Sequence, residues 1–358
     1  MDQETVRIYE NSADAWATRR RPRRRTDVSG LVDHIAPGAP RADLGCGPGL
    51  YTSNLGAPTV ALDASFNMLQ LAHTAAPGAW CVQADLELLP FRPRSLGGAW
   101  ARNSYLHVPA RRLPRALADL HRATVVDAPI FLRFIPGDYE GHALPNDHFP
   151  GRFFVFWDPD RLRAVVEGAG FTVDRFETSD GAIEVHARRA RTLPDFVGPG
   201  MRILMCGLNP SLRSADVGLG FAGPSNRFWP AVIDAGIVTR PRDPWHALRR
   251  HQMGMTDLVK RATVGAAEVK PAEYRAGVTR VERLVQWLEP GAICFVGLAG
   301  YRAAVDKRAQ PGVQPEPFDG TPAYVMPSTS GLNARTSRAE LTDHLRAALA
   351  LGTTNSSE

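Results

Sequence analysis

Short apolar runs alternate with amphipathic stretches along most of the chain. Examples from the first half are the apolar runs TVALDAS and APIFLRFIP and the helix-like stretch DPDRLRAVVEGAG. Apolar runs that alternate with stretches of helical periodicity are typical of parallel α/β sheets. The last two runs of this half, FTVDRFE and AIEVHAR, flank Ser179-Asp180-Gly181 and predict a terminal β-hairpin.

A second series of the same kind begins after a cluster of proline and glycine at residues 192–200. Its apolar runs include RILMCG, AICFVG and AYVM, and its longest helical pattern is PAEYRAGVTRVERLVQWL. The pattern therefore predicts two α/β domains, at residues 1–191 and 192–350, and a disordered tail at 351–358. The length of 358 residues fits two domains of roughly 100–200 residues each.

Composition and charge narrow the class of protein. Apolar residues make up 44% of the chain and charged residues 22%, and no apolar run is long enough to cross a membrane. The N-terminus MDQETVRIYE lacks the apolar core of a secretion signal, so we expect a cytoplasmic protein. Residues 196–358 carry 19 Lys and Arg against 14 Asp and Glu, which accounts for the whole net charge of +5. That balance suits a polyanionic partner.

Two smaller features change this picture little. The run RRRPRRR at residues 19–25 predicts a solvated arm, with contact to phosphate or nucleic acid as the alternative. The four cysteines contain no C-x-x-C pair, and each lies in or beside an apolar run. We therefore expect reduced cysteines and no metal site.

A glycine-rich turn, DLGCGPG, follows the first predicted strand at residues 43–49. Glycine permits a sharp turn and the close approach of a ligand to the backbone. The next predicted strand ends at Asp63, where a carboxylate can bind two ribose hydroxyls. The third ends at Asp85 in QADLELLPF, where it can accept a hydrogen bond from an adenine amino group. Three such signals in this order are more specific than any one alone.

With these motifs and its seven-strand order, the stretch from residue 9 to 190 resembles class I S-adenosylmethionine-dependent methyltransferases. The resemblance implies a Rossmann-like seven-stranded sheet that binds S-adenosylmethionine. In such a site the glycines cradle the methionine part, Asp43 helps to hold its amino group, Asp63 binds the ribose and Asp85 the adenine. The implied cofactor-binding residues are Asp43, Gly45, Gly47, Gly49, Asp63 and Asp85.

The region after the fourth apolar run departs from that family. Many relatives have an acidic residue where this chain reads Trp100 to Asn103. The sequence also lacks the N/D-P-P-Y/F motif and the Pro-Cys pair of standard DNA-base methyltransferases, so the methyl acceptor stays open. Tyr105 and His107 are interpreted either as lining an acceptor pocket or as packed core residues, of which the second is commoner.

Three motifs in the second half lie in loops. Asn209, in GLNPS, follows the strand RILMCG, at the sheet edge where open α/β folds bind ligands, and its neutral amide can orient a water. Phe221 lies in GFAGPSNRFW, where a glycine-rich loop can offer a stacking surface for a base. MPSTSGLNAR, at residues 326–335, combines backbone groups that can bind phosphate with Leu332 as an apolar wedge.

These motifs, together with GMTDLVKRAT, give residues 194–350 a resemblance to the mismatch-specific uracil/thymine DNA glycosylases. The resemblance implies a uracil-DNA-glycosylase-like α/β/α domain with a central parallel sheet, in which Asn209 positions the attacking water. Ser211 departs from the family, in which glycine is frequent at this position. The implied base-binding residues are Leu208, Phe221 and Ala222, and the implied DNA-binding residues are Ser328, Ser330, Gly331, Leu332, Asn333 and Arg335.

Together the resemblances imply a monomeric, nucleoid-associated enzyme that removes uracil, or thymine or a related lesion, from mismatched double-stranded DNA. The glycosylase would need no cofactor, and the fused domain would use S-adenosylmethionine. No obvious catalytic lysine is present, which favours hydrolysis by water over Schiff-base chemistry. Two alternatives stay open. One is a methyltransferase of a small molecule or nucleic acid that uses the glycosylase fold as a DNA-binding module, and the other is a non-catalytic DNA-binding scaffold.

Overall fold

The computed structural model describes residues 1–19 and 26–354, so most of the arginine run at 19–25 lies outside the described residues. The chain divides into two compact units between Ala190 and Arg191, one residue before the boundary expected from the sequence. The last helix continues through Thr354, into the segment where the sequence predicts a disordered tail. The helix continues because Leu349 and Leu351 pack against the core of the second unit.

Among the described residues, each unit contains one sheet. The described strands of the first unit are β1 Arg41–Leu44, β2 Thr59–Asp63, β3 Trp80–Gln83, β4 Gly98–Arg102, β5 Pro129–Pro136, β6 Tyr139–Gly141, β7 Phe154–Trp157, β8 Phe171–Ser179 and β9 Ala182–Arg189. Those of the second unit are β10 Ile203–Gly207, β11 Met253–Asp257, β12 Ile293–Val296, β13 Gly312–Val313 and β14 Ala323–Met326.

In the first unit, five strands run parallel in the order β3-β2-β1-β4-β5. The antiparallel hairpin of β9 and β8 completes this sheet beside β5, so the predicted terminal hairpin is confirmed. The short strands β6 and β7 are additional and pair at the carboxyl end of β5. The apolar pattern did not indicate them, because three or four residues are too few to show a period.

The helices of the first unit cover the sheet and form its N-terminal segment. Ser65 caps α4 by accepting a hydrogen bond from the Met68 N–H, and Asp158 caps α6 in the same way. One face of the sheet carries Trp100 stacked on Phe131, with ring centroids 3.9 Å apart. The helices are α1 Gln3–Asn11, α2 Ala13–Arg19, α3 Thr26–Val32, α4 Phe66–Ala75, α5 Leu113–Ala123 and α6 Pro159–Gly168.

In the second unit, β11, β10, β12 and β14 are parallel neighbours in that order, and β13 pairs antiparallel with β14 at the edge. The buried strand β10 presents alternate side chains to two cores. Ile203 and Met205 face the core shared with α8 and α12, whereas Leu204 and Cys206 face the core shared with α10. The helices are α7 Leu212–Val217, α8 Phe228–Asp234, α9 Pro244–His251, α10 Pro271–Leu288, α11 Leu298–Ala304 and α12 Arg338–Thr354.

Both units are therefore α/β folds, and the second has helices on both faces of a largely parallel sheet, as the sequence predicts. Within the described ranges, none of the helices combines the length and the apolar character needed to span a membrane. In both sheets the first strand, β1 or β10, lies between the next strand in sequence on one side and a later strand on the other. Ligands of open α/β sheets bind beside the carboxyl end of such a strand.

Candidate functional site

In the glycine-rich turn after β1, three glycines adopt backbone conformations in the left-handed region. The φ angles are +69° at Gly45, +53° at Gly47 and +81° at Gly49. A Cβ added at Gly45 would lie 2.3 Å from the Cβ of Ser104, and one at Gly49 would lie 2.9 Å from the Cα of Ala72. A Cβ at Gly47 would meet nothing closer than 3.8 Å. The outer two glycines thus permit close packing, and the middle one leaves space within the loop.

Two predicted carboxylates lie around this turn. Asp63 accepts hydrogen bonds from the backbone N–H of Gly47 at 2.8 Å and of Ser65 at 2.9 Å, so it ties the turn to the end of β2. Asp43 is buried and accepts a hydrogen bond from Thr52 Oγ1 at 2.6 Å. Burial raises the pKa of Asp43 to about 7 and also raises the pKa of Asp63. The loop is therefore bordered by two carboxyl groups, Asp43 and Asp63, whose pKa values are raised by burial.

Asp85 lies at the third strand end, where the sequence places it, and it is engaged with an amino group. Its two carboxylate oxygens accept from the amino group of Met1 at 2.9 and 2.7 Å. Glu87 contacts the same amino group and is also paired with Arg112 and Arg115. Both oxygens of the Asp85 carboxylate are therefore paired with this amino group.

Ser104 is a candidate site residue that was not identified from the sequence. Its hydroxyl is buried and has no hydrogen-bond partner among the described residues, and its Cβ lies directly against Gly45. A buried hydroxyl without a partner is costly unless a ligand or water completes it. The residues around the turn therefore fit a polar ligand. The one feature of the sequence that could have drawn attention to Ser104 is the absence of an acidic residue from the preceding stretch, Trp100 to Asn103.

Tyr105 and His107 are packed residues rather than free acid–base groups. His107 Nδ1 donates to the Phe153 carbonyl oxygen at 2.6 Å, which leaves Nε2 to accept from the Tyr9 hydroxyl at 2.8 Å. Burial lowers the pKa of His107 to about 4. Tyr105 is also buried, and burial raises its pKa. Of the two interpretations offered by the sequence, the geometry favours core packing.

The second unit contains a cavity of about 270 Å³ at the carboxyl ends of β10 and β11. All three motifs of this half contribute to its wall. The predicted residues that line it are Leu208, Asn209, Phe221, Ser328, Ser330 and Gly331. The sheet thus brings together in one space residues that are more than 100 positions apart in the chain.

The amide of Asn209 has a defined orientation in this wall. Its Nδ2 donates to the backbone carbonyls of Pro210 at 3.2 Å and Arg261 at 3.1 Å, and to Thr263 Oγ1 at 2.7 Å. A backbone carbonyl can only accept, so the nitrogen must face these groups. The Oδ1 atom is left as an acceptor for a group in the cavity. Thr263 Oγ1 in turn donates to the Gly265 carbonyl at 2.9 Å.

Phe221 forms another part of the wall. Its backbone has φ of +57°, unusual for a bulky residue, and its ring stacks on the buried Phe228 with centroids 4.0 Å apart and planes 18° apart. The contact with Phe228 supports the ring from one side while the ring lines the cavity. Such a supported ring is a suitable surface for a planar base.

The remaining predicted residues lie away from the cavity lining. Ala222 is buried, and its N–H donates to Ser214 Oγ at 3.4 Å. Leu332 is 96% exposed. Asn333 Nδ2 donates to the Ser328 carbonyl at 2.8 Å, and its Oδ1 accepts from the Arg335 N–H at 3.3 Å, so it braces the loop after β14.

Arg227 supports the same loop from α8. Its guanidinium donates to the backbone carbonyls of Ser330, Asn333 and Thr336. These contacts join the loop after β14 to the start of α8, so Arg227 has a structural role.

Two further lining residues were missed by the sequence reasoning. Thr263 holds the Asn209 amide, and Asp257 ends β11. Both lie in GMTDLVKRAT, which the sequence marked only as a stretch shared with a family. The strand MGMTD is short and has weak apolar periodicity, so its pairing with β10 was not predicted.

Comparison with known families supports both halves of this description. Residues 194–350 match the family described as the Uracil DNA glycosylase superfamily, and residues 42–132 match the Methyltransferase domain. The chain carries one domain of each family. We call them the glycosylase-like domain and the methyltransferase domain.

Solved structures are also similar to part of the chain. A SAM-dependent methyltransferase from Methanosarcina mazei is 15% identical with a TM-score of 0.39, and the match covers 44% of this chain and 95% of that one. A structure described as a DhpI–SAH complex is 15% identical with a TM-score of 0.42, covering 53% and 99%. One from Mesorhizobium loti is 19% identical with a TM-score of 0.38, covering 46% and 96%. The assignment of the methyltransferase domain rests on the family match.

Proposed function

We propose that the glycosylase-like domain hydrolyses the N-glycosidic bond of uracil in mismatched double-stranded DNA. The cavity is the observation that carries this proposal, because the oriented amide of Asn209 and the supported ring of Phe221 line the same space. An enzyme that acts on a base inside a duplex must extrude the nucleotide into such a pocket. Extrusion costs less from a mismatch, which favours a G·U pair over A·U.

The residues of the wall suit a dissociative hydrolysis. The glycosidic bond breaks first, giving an oxocarbenium-like sugar and a uracil anion that backbone donors stabilise. A water held by Asn209 Oδ1 then captures C1′, and the proton that it loses neutralises the uracil anion, which leaves free uracil and an abasic site. The cavity lining contains no lysine, and Lys260 nearby donates to Asp195 Oδ1 at 2.8 Å. Hydrolysis by water, without a Schiff base, is therefore the chemistry these residues support best.

The loop after β14 supplies the contacts proposed for DNA. Ser328, Ser330 and Gly331 lie on the cavity wall, and Leu332 follows them as a fully projecting apolar side chain. In this arrangement the loop backbone holds phosphates while Leu332 fills the gap left by the extruded base. Because phosphate contacts release counterions, affinity for DNA should fall as salt rises.

The test is an excision assay on labelled duplexes that carry G·U, A·U or G·T, and on single-stranded uracil, with alkali cleavage of abasic sites. We expect excision from G·U, its loss in Asn209→Ala, and normal excision in Asn54→Ala, which changes an exposed asparagine of the other domain. Retained excision in Asn209→Ala would refute the role of the amide. Excision from G·T would add thymine to the substrates.

For the methyltransferase domain we propose a site for S-adenosylmethionine, which supplies an activated methyl group when bound. Asp63 would hold the ribose, Asp85 the adenine, and the turn from Gly45 to Gly49 the methionine part. The unpartnered hydroxyl of Ser104 supports a polar ligand at this turn. Calorimetry should detect S-adenosylmethionine binding that Asp63→Ala weakens and that Asp33→Ala, at an exposed carboxylate, leaves unchanged.

The second candidate function makes the methyltransferase domain the only enzyme, with the glycosylase-like domain as a DNA-binding module. The buried polar groups around the glycine turn of the methyltransferase domain are compatible with this second function and with the first. Binding of S-adenosylmethionine together with DNA binding and no excision from any duplex would support it. Excision that depends on Asn209 would exclude it.

A further inference from the structure

Asp257 is an acidic residue in the cavity wall for which the proposed hydrolysis has no role. It ends β11 and pairs in register with Gly207 at the end of β10. A Cβ added at Gly207 would lie 2.3 Å from Asp257 Oδ1 and 3.6 Å from Phe221 Cζ. The carboxyl group and the edge of the stacking ring therefore meet at the same glycine. A base stacked on Phe221 would have its own edge close to this carboxyl group.

The charges around Asp257 leave its side chain without a partner. Lys260 donates to Asp195 at 2.8 Å and Arg280 donates to Asp195 at 2.6 Å, while Arg280 also donates to the backbone carbonyl of Asp257 at 2.6 Å. The side chain of Asp257 accepts no hydrogen bond from any described residue. The neighbouring Cys206 thiol is buried, and burial raises its pKa, so it stays neutral.

These surroundings favour the protonated form of the acid. Burial raises the pKa of Asp257 to about 6, Lys260 and Arg280 act in the opposite direction, and Asp195 adds to the increase. A protonated carboxyl group has a donor and an acceptor side by side, whereas a carboxylate can only accept. Uracil offers the complementary pair, its N3–H donor next to its O4 acceptor.

We propose that Asp257, as a neutral acid, reads the edge of the extruded base, donating its O–H to O4 and accepting from N3–H. This inference rests on the proposed excision of uracil and makes Asp257 a residue that binds this edge of the base. Ionisation removes the donor and sets a negative oxygen against O4, so base recognition is lost as pH rises. The excision rate should therefore fall about tenfold per pH unit above pH 6.

The experiment measures single-turnover excision from the G·U duplex between pH 5 and 8, with full-length protein in excess so that DNA binding is saturated. Wild type should show the fall, and Asp257→Asn should show a flat profile, because an amide keeps the donor and acceptor without titrating. At pH 8 the variant should exceed wild type by 10-fold or more. Asp319→Asn, which removes an exposed carboxylate outside the cavity, should behave as wild type.

The opposite pH dependence would overturn the inference. If Asp257 instead acted as a base toward the attacking water, the rate would rise through pH 6 and Asp257→Asn would lose it at every pH. A wild-type rate that does not change with pH would also overturn it, while the proposed excision would stand.

A binding arm separates failure of this inference from failure of the excision proposal. If no duplex is cleaved at any pH, binding of a G·U duplex carrying uncleavable 2′-fluoro-deoxyuridine is compared with binding of a G·C duplex. Preference for the uracil duplex that weakens above pH 6 in wild type, but not in Asp257→Asn, supports base reading by Asp257. A preference that does not depend on pH, or no preference at pH 5, overturns it.

Discussion

The candidate sites of the two domains lie at equivalent points of their sheets, but one is bordered by carboxylates and the other by a neutral amide and an aromatic ring. In the methyltransferase domain, the turn after β1 is bordered by the carboxylates of Asp43, which is buried, and Asp63, which is partly buried. In the glycosylase-like domain, the loop after β10 presents the neutral amide of Asn209, and an aromatic ring completes the wall. A shared α/β architecture thus determines where a ligand binds, whereas the side chains at that edge determine which ligand it is.

The two sites also differ in how the key side chain is held. Asp63 is oriented in part by the N–H of Ser65, two residues away in the chain. Asn209 is oriented by Arg261 and Thr263, which are 52 and 54 positions away. The contact that orients Asp63 lies within a recognisable sequence motif. The contacts that orient Asn209 form only when β10 pairs with β11.

A crossed pair of substitutions tests whether the two sites act independently. Asn209→Ala should lower uracil excision about 100-fold or more, because the attacking water loses its acceptor, and should leave S-adenosylmethionine affinity unchanged. Asp63→Ala should leave uracil excision unchanged and should lower the affinity for S-adenosylmethionine about tenfold or more, because a hydrogen-bond acceptor is lost. Single-turnover excision and calorimetry are run on both variants. Loss of both activities in either variant would show that the sites are not independent.

A smaller effect is expected at the residue that holds the amide. Thr263→Val keeps the shape of the side chain but removes the acceptor for Asn209 Nδ2, and excision should fall about tenfold, the equivalent of one hydrogen bond of about 1.4 kcal/mol. Thr263→Ser should restore most of the rate, because its hydroxyl can make the same contact. Equal losses in Val and Ser variants would point to packing at this buried position instead.

The smallest effect concerns stability at the same loop. Ser211 caps α7 by accepting from the Ser214 N–H at 3.1 Å, so its hydroxyl has a local structural role. Ser211→Ala should lower the free energy of unfolding of this domain by about 1 kcal/mol, and Ser211→Gly by only a few tenths. Urea denaturation measures both. An excision rate reduced more than about threefold at saturating DNA would mean that the Ser211 hydroxyl also acts within the cavity.

Much of the architecture was predictable because it is encoded locally. The helical period of residues 271–288 predicts α10 over its full length, and the apolar run at 203–207 predicts β10. The edge strand β11 was not predicted, because Gly254 and Asp257 interrupt its apolar pattern. The same strand carries Asp257 into the cavity, so the missed element and the missed site residue share one cause.

Local residue patterns were enough to predict two α/β domains, a glycine turn followed by carboxylates at strand ends, and three motifs that contain an asparagine, an aromatic ring and a leucine. The folded chain was needed to show that six of the predicted residues line one cavity, that the Asn209 amide nitrogen donates to the Arg261 carbonyl, and that Asp257 lies beside the Phe221 ring. The physical reason is that hydrogen bonds and burial between distant segments exist only after parallel strands pair and exclude water.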